Sequence, residues 1–177
     1  MSGTSSPALG DELIPDANMV FDRVAMIDAG SAEIWPWLMQ LGKRRAGWYL
    51  PGRLERLLPA GRRAARRVDP RWQALRVGER IPDYGGRDEY LEVAHVDPGR
   101  ALVYRSERRG APFTWALLLE PQGPGVTALR LRFRGRLRST GGRRRAIVTA
   151  GNCFDWATGA LMLAGLRERV AAYRRSG

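Results

Sequence analysis

Few side chains in this sequence could carry acid–base or nucleophilic chemistry. His95 is the only histidine and Cys153 the only cysteine among 177 residues. We expect His95 to pack on a strand, with acid–base work as its alternative role, and Cys153 to be a small buried apolar residue. Asp155, near the start of the last predicted helix, fits a capping or dipole-compensating position, with general base as the alternative. The sequence therefore assigns no catalytic residue.

These counts bear on several classes of site. A single cysteine excludes an intramolecular disulfide, and it nearly excludes a zinc site built from cysteine and histidine. Catalytic triads and dyads that need a histidine would have to use His95. We accordingly predict no metal and no cofactor.

The chain is strongly basic, with a formal net charge of +12 and a pI of about 11.2. A positive charge of this size makes nucleic acids and anionic membranes candidate partners. Lys43 is the only lysine, however, and near-exclusive use of arginine is typical of a GC-rich coding sequence. The arginine clusters at 62–67 and 143–145 lack interleaved aromatic residues and match no nucleic-acid-binding motif. We predict a solvated basic surface and no specific nucleic-acid partner, with a basic module adhering to nucleic acid or anionic membrane as an alternative.

Aromatic residues are densest at 34–49, which holds three of the six tryptophans. Ser31 is a plausible N-cap for a helix through Leu41, and Trp37 lies on the apolar face of that helix. Trp37 is either part of a cavity wall or part of a packed core. The adjacent pair Trp48 and Tyr49 predicts either a lid over an entrance or a structural staple.

The remaining pattern is mostly β, apart from a short helical segment at 48–58 that Pro51 interrupts. Strands are predicted at 19–27, 77–81, 90–96, 101–105, 113–120 and 126–137. In the last of these, apolar residues alternate with Arg130, Arg132 and Arg134, which predicts one dry and one wet face. We expect the three arginines to face solvent, although a register shift of one residue would turn them inward.

A polar, basic loop at 139–145 and a long helix at 152–173 complete the chain. The order of strand, helices, strand meander and terminal helix predicts an α+β fold, with one antiparallel sheet curled against a helix. We expect residues 1–10 to be a disordered tail and 11–177 to form a single domain. Residues 1–15 lack the basic and apolar regions typical of a secretory signal, and no apolar run is long enough to span a membrane, so a cytoplasmic location is expected.

Several short segments resemble a known superfamily in both type and order. They lie at 10–16, 27–29, 34–38, 46–49, 72–73, 77–79, 162–163 and 165–166. With them the chain is similar, over about residues 10–172, to the bacterial branch of the SRPBCC superfamily, which includes START-like and polyketide-cyclase-like proteins. The resemblance implies the helix-grip fold, a curved antiparallel sheet wrapped around a long C-terminal helix. It also implies an apolar cavity between the two that takes a hydrophobic small molecule.

The function implied is binding of a hydrophobic ligand, lipid or polyketide-like. The alternative is an enzyme of the polyketide cyclase or dehydratase type, which would need a polar group such as Tyr104, His95 or Asp155 to converge on the cavity. Tyr104 and Trp115 are the best orienting groups, because each ring carries a polar atom that wants a partner when buried. The predicted ligand-binding residues are Trp37, Trp48, Tyr49, Tyr104, Trp115, Leu117, Leu131 and Phe133.

Overall fold

The computed structural model describes residues 8–137, apart from 85, 87 and 109, and residues 141–175, with side chains in the last helix described from 157 onward. Residues 1–7 of the tail predicted at 1–10, and the side chains of the arginines at 143–145, of Cys153 and of Asp155, therefore lie outside the described residues.

Six strands form one antiparallel sheet in the order β1-β6-β5-β4-β3-β2. The strands are β1 Met19–Ile27, β2 Arg80–Pro82, β3 Tyr90–Asp97, β4 Ala101–Arg108, β5 Ala111–Gly123 and β6 Val126–Gly135. The helices are α1 Ser31–Gln40, the single-turn α2 Gly52–Glu55 and the long α3 Gly141–Arg174, with 3-10 turns at Asp11–Leu13, Ala60–Arg62 and Pro70–Trp72. The predicted α+β fold, a curved antiparallel sheet with a long C-terminal helix, is confirmed.

The core lies between α1, α3 and one face of the sheet, which we call the inner face. Strand alternation turns Leu102, Leu117 and Leu129 towards this core, where all three are fully buried. Ile34 of α1 and Leu166 of α3 pack into the same cluster. Among the described residues, no helix is both long and apolar enough to cross a membrane.

Three predictions about helix ends and extents are wrong. The N-cap of α1 is Gly30 rather than Ser31, and the Gly30 N–H donates to the Glu33 carboxylate at 2.7 Å. The helix predicted at 48–58 is reduced to the single turn of α2 after Pro51. The backbone at 141–145, predicted as a loop, already belongs to α3, because arginine and alanine are good helix formers and no proline interrupts them.

A β-bulge changes the predicted face of His95. The register shifts between Val93 and His95, so that Val93 pairs with Tyr104 and His95 with Val103. The extra residue leaves Val93 on the inner face and turns His95 to the exposed outer face. Strict alternation would have put both side chains on one face, and the expectation that His95 packs is wrong, because its side chain is exposed.

Arg130, Arg132 and Arg134 lie on the outer face, so no register shift has occurred, but the prediction that they are solvated is wrong. Arg132 is only 4% exposed. Its guanidinium bonds to Asp11 at 2.7 and 2.8 Å and also pairs with Asp22 of β1, which Arg130 binds at 2.6 Å. Carboxylates take the place of solvent around Arg132: Asp11 comes from the segment at 8–18, which folds across this face, and Asp22 comes from β1.

This N-terminal segment is fixed to the sheet along its length. Gly10 has φ 95°, and a Cβ there would lie 2.7 Å from a methyl carbon of Val103, so only glycine fits. The Asn18 side chain donates to the Leu137 carbonyl and accepts from the Leu137 N–H, both at 2.9 Å. The hydrogen bonds at Asn18 and the ion pair between Asp11 and Arg132 of β6 therefore join two parts of the chain that are distant in sequence.

The ion pair between Asp11 and Arg132, which we call the clamp, should make the stability of the protein sensitive to acid. Burial opposes ionisation of Asp11, but hydrogen bonds from Arg132 and the Ala8 N–H outweigh it and hold the pKa of Asp11 below its ordinary value. A depressed pKa contributes stability above the unfolded pKa of about 4, and that stability is lost as pH falls through the folded value. We expect Asp11→Asn to lower the free energy of unfolding by about 1–2 kcal/mol at pH 7, and urea unfolding at several pH values should show the difference shrinking below about pH 4.

The matched control is Asp97→Asn, since Asp97 is 42% exposed and its partner Arg100 lies 3.9 Å away. That variant should be near wild type at every pH. A difference between wild type and Asp11→Asn that stays constant from neutral to acid pH would contradict this role of the clamp.

Candidate functional site

Four aromatic side chains form a continuous row across the inner face. Phe21, Phe133, Trp115 and Tyr104 stand directly opposite one another on β1, β6, β5 and β4. Ring centroids lie 5.7 Å apart for Phe21 and Phe133, and 5.8 Å apart for Trp115 and Tyr104, in stacked orientations. We call these four residues the aromatic row. Phe21 was missed as a site residue, although alternation in β1 already placed it on one face with Ala25 and Ile27.

Trp48 covers one part of the aromatic row. It comes from the loop after α1 and stacks on Trp115 at 5.7 Å, while Tyr84 meets it edge-on at 6.2 Å. Trp48 and Trp115 are partly buried, and Tyr84 is 54% exposed. A chain of rings therefore runs from the buried Tyr104 to the surface.

Tyr49 and Trp37 serve a different purpose from Trp48. Tyr49 is fully buried, and its hydroxyl donates to the Trp37 carbonyl at 2.8 Å. The two rings meet edge-on at 5.9 Å, and the guanidinium of Arg169 lies 4.6 Å from the Tyr49 ring centre. Tyr173 of α3 contacts Trp37 at 6.4 Å. These contacts join α1, the following loop and α3, and neither ring belongs to the aromatic row.

Two leucines extend the apolar floor beside the aromatic row. Leu117 of β5 pairs with Leu131 of β6, one step along the inner face from Trp115 and Phe133. Gly159 of α3 lies above Leu131, where a Cβ would be 3.8 Å away. Six of the eight predicted site residues therefore share one continuous surface, and Trp37 and Tyr49 lie outside it.

The hydroxyl of Tyr104 is the unusual polar group of this surface. The residue is 1% exposed, and its hydroxyl has no hydrogen-bond partner in the part of the chain that the structure describes. Burial raises the pKa of Tyr104 well above its ordinary value, although the positive charge of Arg45 opposes the rise. At neutral pH the group is therefore a protonated donor without an acceptor among the described residues.

Arg45 supplies a positive charge close to this hydroxyl. Its guanidinium donates to the carbonyls of Met39 at 2.8 Å and Trp72 at 2.9 Å, and pairs with Glu79 at 3.4 Å. Burial lowers the pKa of Arg45, and the neighbouring Tyr104 and Glu79 oppose that effect. Nothing in the sequence separates Arg45 from the exposed Arg44 beside it, so this residue could not have been predicted.

The aromatic row and the residues beside it form a mainly apolar surface. It offers a broad apolar floor, stacked rings and one buried donor at one end. Among the residues described, no group of three or more His, Cys, Asp or Glu side chains is placed to hold a metal ion.

Comparison with known proteins identifies the fold of this chain. No protein-family model matches the chain, and no curated protein matches it. Solved structures do match. A protein of unknown function, SA2116 from Staphylococcus aureus, superposes with a TM-score of 0.58 at 9% identity, covering 91% of this chain and 99% of its own. The chain has the helix-grip fold.

Two further structures share this helix-grip fold. Protein MLL2253 from Mesorhizobium loti has a TM-score of 0.51 at 17% identity, covering 86% of this chain and 97% of its own. Norcoclaurine synthase from Thalictrum, solved with a transition-state analogue, has a TM-score of 0.50 at 14% identity. The match covers 88% of this chain and 95% of the synthase chain. At these identities the likeness establishes the fold that the SRPBCC resemblance implied, and the site must be argued from its own residues.

Within this helix-grip fold, two of the groups considered for catalysis, Tyr104 and His95, lie on opposite faces of the sheet. Tyr104 faces the inner side of the sheet, whereas His95 faces outward. The side chain of Asp155 lies outside those described. Tyr104 is thus the one inward-facing member of the three among the described side chains.

Proposed function

We propose that this protein binds a hydrophobic small molecule, lipid or polyketide-like, on the aromatic row between the sheet and α3. The observation that carries the proposal is the Tyr104 hydroxyl, which is buried and has no described partner at one end of the row. A buried donor left unpaired costs about 1–3 kcal/mol. An acceptor on a ligand would offset that cost.

The surroundings of Tyr104 define the chemistry of the ligand. The stacked rings of Trp115 and Trp48 suit a flat or extended apolar body, because aromatic faces stack on one another. The donor at Tyr104 and the positive charge of Arg45 favour an electron-rich acceptor such as a carbonyl oxygen. The partly buried Trp48 lies on the side from which a ligand would enter.

The same geometry favours binding over a cyclase or dehydratase activity. The raised pKa of Tyr104 keeps its hydroxyl protonated, so it can donate a hydrogen bond but is a poor general base at neutral pH. His95, the other described candidate for acid–base chemistry, faces away from the aromatic row. The norcoclaurine synthase neighbour is an enzyme, but a likeness at 14% identity carries only the fold.

The neutral naphthyl ketone Prodan tests the proposal, because it combines an aromatic body with one carbonyl acceptor and its emission reports polarity. We expect Tyr104→Phe to bind Prodan about fivefold more weakly, through loss of one hydrogen bond. The same variant should be at least as stable as wild type without ligand, by up to about 1 kcal/mol, because it removes an unsatisfied group. Fluorescence titration and urea unfolding measure the two effects.

Tyr90→Phe is the matched control, since Tyr90 is 37% exposed and away from the inner face. It should change neither Prodan affinity nor stability. The proposal would be wrong if Tyr104→Phe bound Prodan as tightly as wild type, or if it destabilised the unliganded protein, because the hydroxyl would then have a structural partner.

A further inference from the structure

A surface segment rich in arginine and leucine follows Trp48 and Tyr49 along the chain. The segment at 52–67, which we call the basic protrusion, contains six arginines and a single carboxylate, Glu55. Leu57 is 81% exposed and Leu54 is 37% exposed, beside the exposed Arg53 and Arg56. Large apolar side chains are thus presented to solvent within a cationic surface.

The leucines are held outward by ordered structure. Glu55 is 3% exposed and faces inward, so its neighbours on α2 face outward. The backbone N–H of Leu54 donates to the Pro51 carbonyl at 2.9 Å, and that of Leu57 donates to the Leu54 carbonyl at 3.1 Å. At the other end, the Gln40 side chain donates to the Arg67 carbonyl at 3.2 Å. The basic protrusion therefore presents its apolar tips in a fixed position.

The positive charge of the basic protrusion is largely uncompensated. The Glu55 carboxylate is engaged by the buried Arg169 and by Arg66, and Arg66 also lies 3.6 Å from Glu168. For the exposed Arg53 and Arg56 no carboxylate partner is present in the described part of the molecule. Exposed cations beside an exposed leucine match the composition of a surface that binds anionic lipid headgroups and inserts apolar tips.

We infer that the basic protrusion docks this protein on the surface of a membrane that contains anionic phospholipids. The arginines contact headgroup phosphates, and Leu54 and Leu57 enter the boundary of the acyl chains. The exposed leucines favour this partner over nucleic acid, which would be served by cations interleaved with aromatic side chains. The inference is independent of the ligand proposed for the aromatic row.

Vesicle co-sedimentation tests the docking surface. The purified full chain should bind vesicles of phosphatidylcholine with 30% phosphatidylglycerol, and bind pure phosphatidylcholine weakly or not at all. Arg53→Gln with Arg56→Gln should weaken binding roughly 30-fold, from about 1 kcal/mol per arginine near such a surface. Leu57→Ser should weaken it about tenfold by removing apolar insertion.

Matched controls separate docking from general cationic adhesion. Arg76→Gln with Arg100→Gln removes the same charge from exposed positions elsewhere, and Val77→Ser removes an apolar residue that is 64% exposed. Both controls should bind as wild type, and circular dichroism should show all variants folded. Equal weakening in test and control double variants would overturn the inference. Unchanged vesicle binding by Leu57→Ser would also overturn it. So would tighter binding of the wild-type protein to duplex DNA than to anionic vesicles, if Arg53→Gln with Arg56→Gln abolished that DNA binding.

Discussion

Replacing Arg169 with methionine should lower the free energy of unfolding by about 3–5 kcal/mol. Arg169 lies near the C-terminal end of α3, is 1% exposed, and pairs with Glu55, which is 3% exposed. It also donates to the carbonyls of Ala65 at 2.8 Å and Leu50 at 3.1 Å. Methionine fills part of the volume but leaves the Glu55 carboxylate buried without its main counter-charge. Urea unfolding monitored by tryptophan fluorescence measures the loss.

Two companion variants make this result specific. Arg175→Met changes an exposed arginine at the end of the same helix and should stay within about 0.5 kcal/mol of wild type. Adding Glu55→Gln to Arg169→Met removes the stranded charge and should recover a large part of the lost stability. A double variant as unstable as Arg169→Met alone would show that the loss comes from packing and not from the unpaired carboxylate.

The second large effect concerns the glycine where α3 meets the loop after Tyr49. A Cβ at Gly165 would lie 2.6–2.7 Å from backbone atoms of Leu50, so the helix and the loop would have to separate. We expect Gly165→Ala to destabilise the protein by about 1–3 kcal/mol, although alanine is the better helix former. Thermal or urea unfolding gives the value directly.

Gly159, two turns earlier in α3, is the control. A Cβ there would meet Leu131 at an ordinary contact distance of 3.8 Å. Gly159→Ala should therefore stabilise the protein by about 0.5–1 kcal/mol through helix propensity alone. Two glycines of one helix would respond with opposite signs, and a loss at Gly159 as large as at Gly165 would contradict the close approach at Leu50.

Alternation made much of the sheet predictable from sequence. Apolar residues on every second position of β5 and β6 placed Trp115, Leu131 and Phe133 on the inner face, as the register confirms. The pattern works because each strand has one side in the core. It failed at His95, because a β-bulge reverses the face and no residue type marks it.

Charged residues were the least predictable part of the chain. Arg132 alternates with apolar residues in the way that solvated residues do, yet it is buried under the N-terminal segment. Arg169 is one of several arginines near the C-terminal end of α3, where positive charge commonly compensates the helix dipole, yet it follows Met162 by seven residues and Leu166 by three, the spacing of the buried face of α3. Their partners, Asp11 and Glu55, lie more than a hundred residues away, so only the folded chain brings them together.

The sequence predicted which residue types form the candidate site, but not how they are arranged. Aromatic residue types singled out Trp48, Tyr104 and Trp115, and cross-strand pairing explains why they meet. Type alone did not separate Tyr49, whose hydroxyl is satisfied by the Trp37 carbonyl, from Tyr104, whose hydroxyl is not. That distinction depends on which acceptors the fold brings within reach.

Native mass spectrometry of the purified full chain tests most directly whether the aromatic row holds a ligand. The account predicts a bound apolar adduct, released by organic solvent, whose occupancy falls in Tyr104→Phe and is unchanged in Tyr90→Phe. Where no adduct co-purifies, Prodan added to the sample should occupy the wild-type protein and Tyr90→Phe to a similar extent and Tyr104→Phe to a lower extent. A wild-type protein that appears only at the mass of the bare chain, and that takes up no Prodan, would contradict the account.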